Sequence, residues 1–420
     1  MPQRITASVA LLLSAVFGLG AGVAGLLITL VVTEHRGASL AAGGLAVSVV
    51  SVASALQASR KLGDRPRRQQ VIAAATAGAA LLAFAGALWG LILSPAPRAT
   101  EATLATAAFW DLPTGSRIAY EGTHAADTAR QTPVLLVHGG PGSPTRDVAG
   151  IGPLLAGLGF DVYNYHQVGS GLSSRLDAED YSVARHVADL EAIRQTLRAG
   201  RVVLIGTSWG GQLTAAYLAA YPERVERAVV VSPGAIWAPA FSDTQRLTPG
   251  GKRDVDGVVS GMPRFLLPHI LMSVVGPGPT QALLPDKQVD GLAETMMLNL
   301  DMWAGCERAD PVQNRTSAGG IGFWANAATT FDARSVVDPR PLLANLETPI
   351  LILRGECDYV AWKVTREYRD LLRNAVLIPI AGAGHVIQQD QPQRYREIIR
   401  AFIFGEPLPA EPYTGDAPPW

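Results

Sequence analysis

The sequence is poor in cysteine and has almost no net charge. Its 420 residues include two cysteines, Cys306 and Cys357, and 35 Lys and Arg against 36 Asp and Glu, a formal net charge of −1. Two cysteines exclude a disulfide framework, although a single bridge in an extracytoplasmic domain and two free thiols both remain open. The sequence has no C-x-x-C pair and no His/Cys cluster, so it does not predict a structural metal. A neutral chain gives no electrostatic reason to expect nucleic acid as a partner.

Hydrophobic residues, in contrast, make up 48% of the chain, and the excess lies in the first hundred residues. Three uncharged runs, at about 5–32, 38–59 and 71–93, predict two to three transmembrane helices. The middle run is the weakest, because serine and glycine dilute it. A cleaved signal peptide is the alternative for the first run, but this run is too long and further apolar runs follow it. Gly18 and Gly22 form a G-x-x-x-G pair, which is typical of helix packing in membranes.

Basic residues predict the orientation of these spans. The loop 60–68, between the second and third runs, carries five Lys and Arg residues against one Asp, and short basic loops stay in the cytoplasm. Arg4 suits an N-terminus on the same side. Three spans would then place everything after Leu93 outside the cytoplasm, whereas two spans fit the basic loop less well. We therefore expect an integral protein of a bacterial plasma membrane whose larger part is extracytoplasmic.

After the membrane segment, short apolar strands alternate with helical patterns, which indicates an α/β fold with a mostly parallel sheet covered by helices on both faces. Strands are predicted at 117–121, 133–137, 161–165, 201–205, 228–231, 349–353 and 375–380, and helices at 181–199 and 392–404. The alternation stops in one long segment, which we interpret as a cap inserted between two strands. The predicted domains are a membrane segment (1–97), a core (98–233 and 347–406), the cap (234–346) and a Pro-rich tail (407–420).

The most informative stretch is 206–211, with the sequence GTSWGG. It follows the apolar run 202–205 and precedes a run with helical character, which is the context of a G-x-S-x-G nucleophile elbow. Such a tight turn lifts a serine out of the sheet, and glycine on either side leaves room for it. The sequence therefore predicts Ser208 as a catalytic nucleophile.

A second motif, HGGPG at 138–142, also closes an apolar run. In folds with a nucleophile elbow, the loop at this place donates an N–H group to the oxyanion hole. We expect the oxyanion hole to use the backbone N–H of Trp209 and one from Gly139 or Gly140. His138 is expected to brace its own loop rather than to act as a base.

A serine nucleophile needs a base, and the base needs a carboxylate that fixes its tautomer. In elbow-containing hydrolases the chain order is serine, acid, histidine. Of the seven histidines, only His385 follows the last predicted strand. The acid should follow the preceding strand, where Asp358 is the candidate and Glu356, nearer the strand end, is the alternative. The predicted catalytic triad is Ser208, Asp358 and His385.

These motifs resemble those of the proline iminopeptidase family, serine peptidases of the α/β-hydrolase superfamily. The segments 189–191 (DLE) and 221–225 (YPERV) also look familial, so the similarity covers roughly 109–406 and leaves out the membrane segment. The resemblance implies an α/β-hydrolase fold with a helical cap, and an aminopeptidase activity that releases an N-terminal residue, often proline, from peptides.

One loop departs from the family pattern. Where the family commonly has Asp-Gln-Arg-Gly-x-Gly after the fourth strand, this chain has HQVGSG at 166–171, so that His166 and Val168 replace the Asp and the Arg. The cap carboxylates that hold the substrate amine in that family also have no clear match. The candidates in this chain are Asp243, Glu294, Asp301, Glu307 and Asp310.

We therefore expect a membrane-anchored serine hydrolase that releases an N-terminal residue from small peptides or amino-acid amides through an acyl-enzyme. A carboxylesterase or lipase-type ester hydrolase is the alternative, because both reactions use the same triad and oxyanion hole. A non-catalytic receptor is a third hypothesis, which the complete triad disfavours. The glycine-rich loops match no phosphate-binding spacing, and we expect no cofactor. Expected partners are a small peptide or ester and the lipid bilayer, while the oligomeric state stays open.

Overall fold

The computed structural model describes residues 2–126, 130–241, 261–299, 306 and 317–420. The chain forms two compact units. The first consists of Met1–Ala96 and Met262–Val289, and the second of Pro97–Gly261 and Asp290–Trp420. The segment predicted as a cap, 234–346, is thus divided between the two units.

The first unit contains three long helices: α1 (Pro2–Thr33), α2 (Arg36–Lys61) and α3 (Pro66–Leu88), which continues as a π-helical turn to Leu93. Their apolar stretches have mean hydropathies of 2.4, 1.8 and 2.1 and are long enough to cross a membrane. All three apolar runs of the sequence therefore form helices, including the middle run, which contains several serine and glycine residues.

Small residues allow α1 and α2 to approach closely. A Cβ atom added at Gly18 would lie 1.8 Å from the Ser51 hydroxyl, and one added at Gly22 would lie 2.3 Å from Val47 Cγ2. The two glycines of the G-x-x-x-G pair therefore face α2, where no larger side chain fits. On α2 every fourth residue is buried, namely Ser39, Gly43, Val47, Ser51, Ala55 and Ser59.

The described part of the second unit contains an eight-stranded sheet in the order β1-β2-β4-β3-β5-β6-β7-β8. Its strands are β1 (Ala108–Asp111), β2 (Arg117–Thr123), β3 (Val134–Val137), β4 (Val162–Tyr165), β5 (Val202–Thr207), β6 (Val225–Val231), β7 (Ile350–Gly355) and β8 (Ala375–Ile380). Strands β3 to β8 pair in parallel, and β2 is antiparallel to both β1 and β4. Each predicted strand is present, and the short edge strand β1 was not predicted.

The helices that follow α3 cover the sheet or lie in the segment between β6 and β7. Within the described residues they are, in chain order, α4 (Ile151–Ala156), α5 (Val183–Thr196), α6 (Trp209–Ala220), α7 (Pro263–Val275), α8 (Pro277–Leu283), α9 (Asp286–Asn299), α10 (Phe323–Asp332), α11 (Arg340–Leu343), α12 (Trp362–Leu371), α13 (Ile387–Asp390) and α14 (Pro392–Phe404). The closing helix matches the range predicted from the sequence.

One face of the sheet packs its core against α4 and α14. The core side chains include Val203, Ile205, Val229, Val231, Leu351, Leu353, Ile398 and Phe402. The strands are buried on both faces, so they are apolar at successive positions rather than at alternate ones. The Pro-rich tail forms neither helix nor strand, and the N–H of Tyr413 donates to the carbonyl of Leu377 on β8.

Candidate active site

Ser208 lies between β5 and α6 in a backbone conformation that residues other than glycine rarely adopt. Its φ is 56° and its ψ is −120°, a conformation that costs on the order of 1–3 kcal/mol and persists only where the surrounding structure imposes it. A Cβ atom on Gly206 would lie 2.3 Å from the Gly210 carbonyl oxygen, and one on Gly210 would lie 2.0 Å from the Val137 carbonyl oxygen. Glycine is therefore required on both sides of Ser208, and the turn has the geometry of a nucleophile elbow.

The glycine-rich loop after β3 lies directly against Ser208. A Cβ atom added at Gly139 would be 3.0 Å from Ser208 Cβ and 3.6 Å from Ser208 Oγ. Gly140 has a φ of 101°, which only glycine adopts readily. Trp209 is the first residue of α6, a position whose N–H has no partner within the helix. Of the residues predicted to supply N–H groups to an oxyanion hole, Trp209 therefore follows Ser208 directly and Gly139 packs against it.

His138 and Gln167 brace this loop from behind. The Nδ1 of His138 donates to the Gly139 carbonyl (2.8 Å), and its Nε2 accepts the backbone N–H of Gln167 (2.9 Å). The Gln167 side chain donates to the His138 carbonyl (2.7 Å) and accepts the indole N–H of Trp209 (2.9 Å). Burial lowers the pKa of His138 to about 3, so the ring is neutral at neutral pH and suits this bracing arrangement.

His385 and Asp358 follow β8 and β7 and form a buried pair. Nδ1 of His385 lies 2.7 Å from Oδ1 of Asp358, which also accepts the Val360 N–H at 3.0 Å. Burial raises the pKa of the Asp358 carboxyl, but the charges of His385 and Arg354 and the hydrogen bonds from His385 and Val360 outweigh it and hold that pKa below its usual range. Asp358 is thus an ionised carboxylate that orients the imidazole.

Glu356, the alternative acid, has a different contact. Its Oε2 accepts the N–H of Gly382 at 2.9 Å, at the start of the loop that carries His385. The structure therefore brings Asp358 to His385 and places Glu356 as a support of the same loop.

Arg354, which the sequence analysis did not single out, holds the second oxygen of Asp358. Its guanidinium donates to Asp358 Oδ2 (2.9 Å), to the Asp358 carbonyl (3.1 Å), to the Val360 carbonyl (2.5 Å) and to the Thr365 hydroxyl (3.2 Å). The Arg354 side chain is only 3% exposed. In the sequence, Arg354 is a single charged residue within the apolar run of β7. This pattern is equally typical of the end of a strand.

The Tyr359 side chain contacts His385 and lies close to Ser208. Its ring lies on His385 with the two ring centroids 4.1 Å apart, and Ser208 lies close to its hydroxyl. Burial, and then the charge of Asp358, raise the pKa of Tyr359, so its hydroxyl stays protonated. The sequence places Tyr359 beside the acid but gives no sign of these contacts, because they depend on the arrangement of three strand ends.

A disulfide bond joins the acid loop to the segment between β6 and β7. Cys306 and Cys357 are bonded, with their Cα atoms 5.1 Å apart, which decides between the two states that the sequence left open. Cys357 precedes Asp358 directly. The bridge therefore fixes one point of the predicted cap next to the candidate acid.

The loop that departs from the proline iminopeptidase pattern is buried and carries no charge at neutral pH. His166 is fully buried, its Nδ1 accepts the Leu172 N–H at 3.1 Å, and burial lowers its pKa to about 4. Val168 is also buried. Neutral packing thus replaces the two opposite charges that the family commonly has here.

Of the five cap carboxylates considered from the sequence, only one lies within the described residues. Glu294, on α9, accepts the backbone N–H of Thr100 at 2.7 Å. Asp243, Asp301, Glu307 and Asp310 lie outside the described residues. The contact of Glu294 holds the segment that leads into the second unit.

Known proteins similar to this chain point to one fold and to more than one activity. Residues 132–268 match the family described as alpha/beta hydrolase fold. A proline iminopeptidase of Lactobacillus delbrueckii subsp. bulgaricus is 24% identical over 318 residues, 71% of this chain and 96% of that protein. The proline iminopeptidase of Heyndrickxia coagulans is 34% identical over 134 residues, 32% of this chain and 45% of that protein. A solved thermophilic esterase from Thermogutta terrifontis has a TM-score of 0.51 at 21% identity, covering 72% of this chain and 99% of the esterase.

Proposed function

Since the chain is an α/β-hydrolase that resembles the proline iminopeptidases, we propose that it is a membrane-anchored serine hydrolase that releases an N-terminal residue from small peptides or amino-acid amides. The observation that carries the proposal is the meeting of three strand ends. Ser208 stands on the elbow after β5 and Gly139 lies against it, while the ring of Tyr359, which lies close to Ser208, contacts His385 of the His385–Asp358 pair.

The proposed reaction begins at Ser208. Because Nδ1 of His385 is engaged by Asp358, Nε2 is left to accept the hydroxyl proton as Oγ attacks the carbonyl carbon. The negative charge that develops on the carbonyl oxygen is stabilised by the N–H of Trp209 and by one from Gly139 or Gly140. His385 then passes the proton to the leaving amine, the C–N bond breaks, and an acyl-enzyme remains.

A water molecule completes the cycle. His385 takes a proton from this water, the hydroxide attacks the acyl carbon, and the proton returns to Ser208 Oγ as the acid product leaves. Asp358 stays ionised throughout and stabilises the imidazolium that forms twice per turnover. In this scheme Tyr359 and Arg354 are positioning residues, because Tyr359 fixes the serine and imidazole and Arg354 fixes the carboxylate.

The peptidase assignment rests on the similarity to proline iminopeptidases, most of whose length the chain matches. An ester substrate is the second candidate, and the loop at His166 and Val168 favours it. This loop has lost the charges that the family commonly carries, whereas a substrate with a free ammonium group needs a carboxylate partner in a covered site, or its desolvation costs several kcal/mol.

A substrate panel separates the two reactions. Aminoacyl-arylamides are compared with their N-acetylated forms and with acyl esters of several chain lengths, using purified wild type and Ser208→Ala as the background control. A peptidase hydrolyses the free arylamides and loses this activity on N-acetylation. Equal hydrolysis of free and acetylated arylamides, with faster hydrolysis of the esters, would refute the peptidase assignment in favour of the esterase.

The location that we propose is the outer face of a bacterial plasma membrane. Three helices are apolar and long enough to span a bilayer, and the basic loop 60–68 favours a cytoplasmic position for the connection between α2 and α3. The Cys306–Cys357 bond supports an extracytoplasmic second unit, since disulfides persist in oxidising compartments.

A further inference from the structure

The segment between β6 and β7 contains a second apolar region that the proposed reaction does not use. From Phe265 to Pro285 the chain carries no Asp, Glu, Lys or Arg. Such a run is unusual in a connection that leads between two strands of a soluble domain. It forms α7 and α8, which meet at Gly276, where the φ of 89° ends the first helix.

These two helices belong to the same compact unit as the three long apolar helices. Helix α7 packs on the turn Trp89–Leu93 that ends α3, and α8 packs on α1. At 13 residues, α7 is too short to cross a bilayer, which takes about 20 residues. A short apolar helix attached to a bundle of spans fits the membrane interface instead.

Two arginines tie the ends of the segment 263–288 to the bundle. Arg264, in the first turn of α7, donates to the Ser94 carbonyl (2.6 Å) and to the Pro95 carbonyl (3.0 Å), just after α3 ends. Arg36, at the start of α2, donates to the Ile92 carbonyl (3.3 Å) and to the Gln288 side chain (3.2 Å). Both contacts lie at the end of the bundle that the basic loop predicts to be outside.

The exposed face of α7 carries no charge and is mostly apolar, and the hydroxyl of its polar residue, Ser273, donates to the His269 carbonyl of the same helix. Ile270 and Val274 are one helical turn apart and are 59% and 65% exposed. Trp89, at the level of the same turn of α3, is 61% exposed, and tryptophan is enriched where a span meets the headgroups. Exposed apolar side chains thus occur both on α7 and on the turn of α3 against which it packs.

We propose that α7 and α8 lie in the outer leaflet of the membrane, with Ile270 and Val274 in contact with lipid acyl chains. This inference rests on the membrane anchoring in the proposed function and is independent of the chemistry at Ser208. The surface would hold the part of the predicted cap that belongs to the first unit, Met262–Val289, at the membrane as a fourth, non-spanning contact.

Spin labelling of the full chain in vesicles tests the proposal. Ile270→Cys and Val274→Cys are labelled with a nitroxide without reductant, so that the native disulfide stays closed, and wild type is treated in parallel as the background. The vesicles contain phosphatidylcholine and phosphatidylglycerol. The measured quantity is the collision rate of the label with oxygen, which concentrates in the bilayer, against that with a polar nickel chelate.

Two matched positions calibrate the result. Leu82, on α3 and 76% exposed, represents a span, and Val337, 86% exposed in the second unit, represents water. We expect labels at 270 and 274 to favour oxygen over the nickel chelate as the label at 82 does, by at least several-fold over the label at 337. Values that match position 337 would overturn the proposal.

Two further outcomes would also overturn it. Strong spin–spin broadening at position 270 would mean that a second copy of the chain covers α7, and a water-like result at position 82 would mean that the helices are not in the bilayer at all. Labelling of Ser208 by a fluorophosphonate in the same samples reports separately on the hydrolase site, so that failure of the proposed reaction is not confused with failure of the membrane contact.

Discussion

The buried Arg354–Asp358 pair makes the sharpest prediction about the site. Replacing Arg354 with Met keeps much of the side-chain length but removes the guanidinium that donates to Asp358 Oδ2, to two backbone carbonyls and to Thr365. Breaking a buried pair in this way costs about 3–5 kcal/mol, because the remaining charge is left without a partner. We expect Arg354→Met to lower the melting temperature of the detergent-solubilised protein by roughly 10 °C.

The same substitution changes the pH dependence in a stated direction. Asp358 has a lowered pKa in the folded protein, so its ionised form adds stability that is present at neutral pH and lost as the pH falls through that folded pKa. Removing the Arg354 charge raises the pKa of Asp358. The stability difference from wild type should therefore be largest at neutral pH and shrink in acid, and the acid limb of kcat/KM should move to higher pH.

Two controls make this result specific. Arg354→Lys keeps a charge but loses the planar fork, so its melting temperature should lie between those of wild type and Arg354→Met. Arg400 forms a comparable two-bond pair with Glu406 at 2.7 and 2.9 Å but is 41% exposed, and Arg400→Met should cost no more than about 1 kcal/mol. The reasoning would be refuted if Arg354→Met had the same melting temperature as wild type and the same pH dependence of kcat/KM.

Three further predictions follow from the site and the spans. Asp358→Asn should lower kcat on the order of 10⁴-fold, whereas Glu356→Gln should change it little, and steady-state rates that show the reverse pattern would move the acid to Glu356. Tyr359→Phe should lower kcat/KM by about 2- to 10-fold through loss of the hydroxyl that lies close to Ser208, and Tyr359→Ala should lower it further because the ring contact with His385 is lost as well; wild-type rates in both variants would exclude a positioning role. A C-terminal tag should be removed by protease added to intact spheroplasts, and protection of the tag would mean two spans or an inverted anchor.

The sheet could be predicted, and the candidate site residues could be selected, because both depend on local patterns. Runs such as 350–353 are apolar at successive positions, and the G-x-S-x-G turn requires glycine at fixed positions next to Ser208. The predicted α/β-hydrolase fold is confirmed by the mostly parallel sheet and by the matching family. Because the carboxyl ends of parallel strands meet at one edge, the chain order also directs attention to Asp358 and His385.

Contacts that depend on three-dimensional packing could not be predicted. Arg354 looks like the end of a strand until its guanidinium is seen to turn back on Asp358, and Tyr359 contacts a histidine that lies after a different strand. The Cys306–Cys357 bond joins residues 51 positions apart, a separation that carries no pairing signal. The sequence also did not show that the predicted cap is divided between two units. An apolar helix such as α7 has the same residue pattern in a cap and at a membrane interface.

The most direct test of the central claim is covalent labelling of Ser208. A fluorophosphonate probe is added to membranes that contain wild type, Ser208→Ala or, as a matched serine substitution away from the site, Ser335→Ala, which removes a hydroxyl at an exposed position. We expect labelling of wild type and Ser335→Ala at one peptide that contains residue 208, and no labelling of Ser208→Ala. Equal labelling of all three proteins, or labelling of none, would contradict the assignment of Ser208 as the nucleophile of a serine hydrolase.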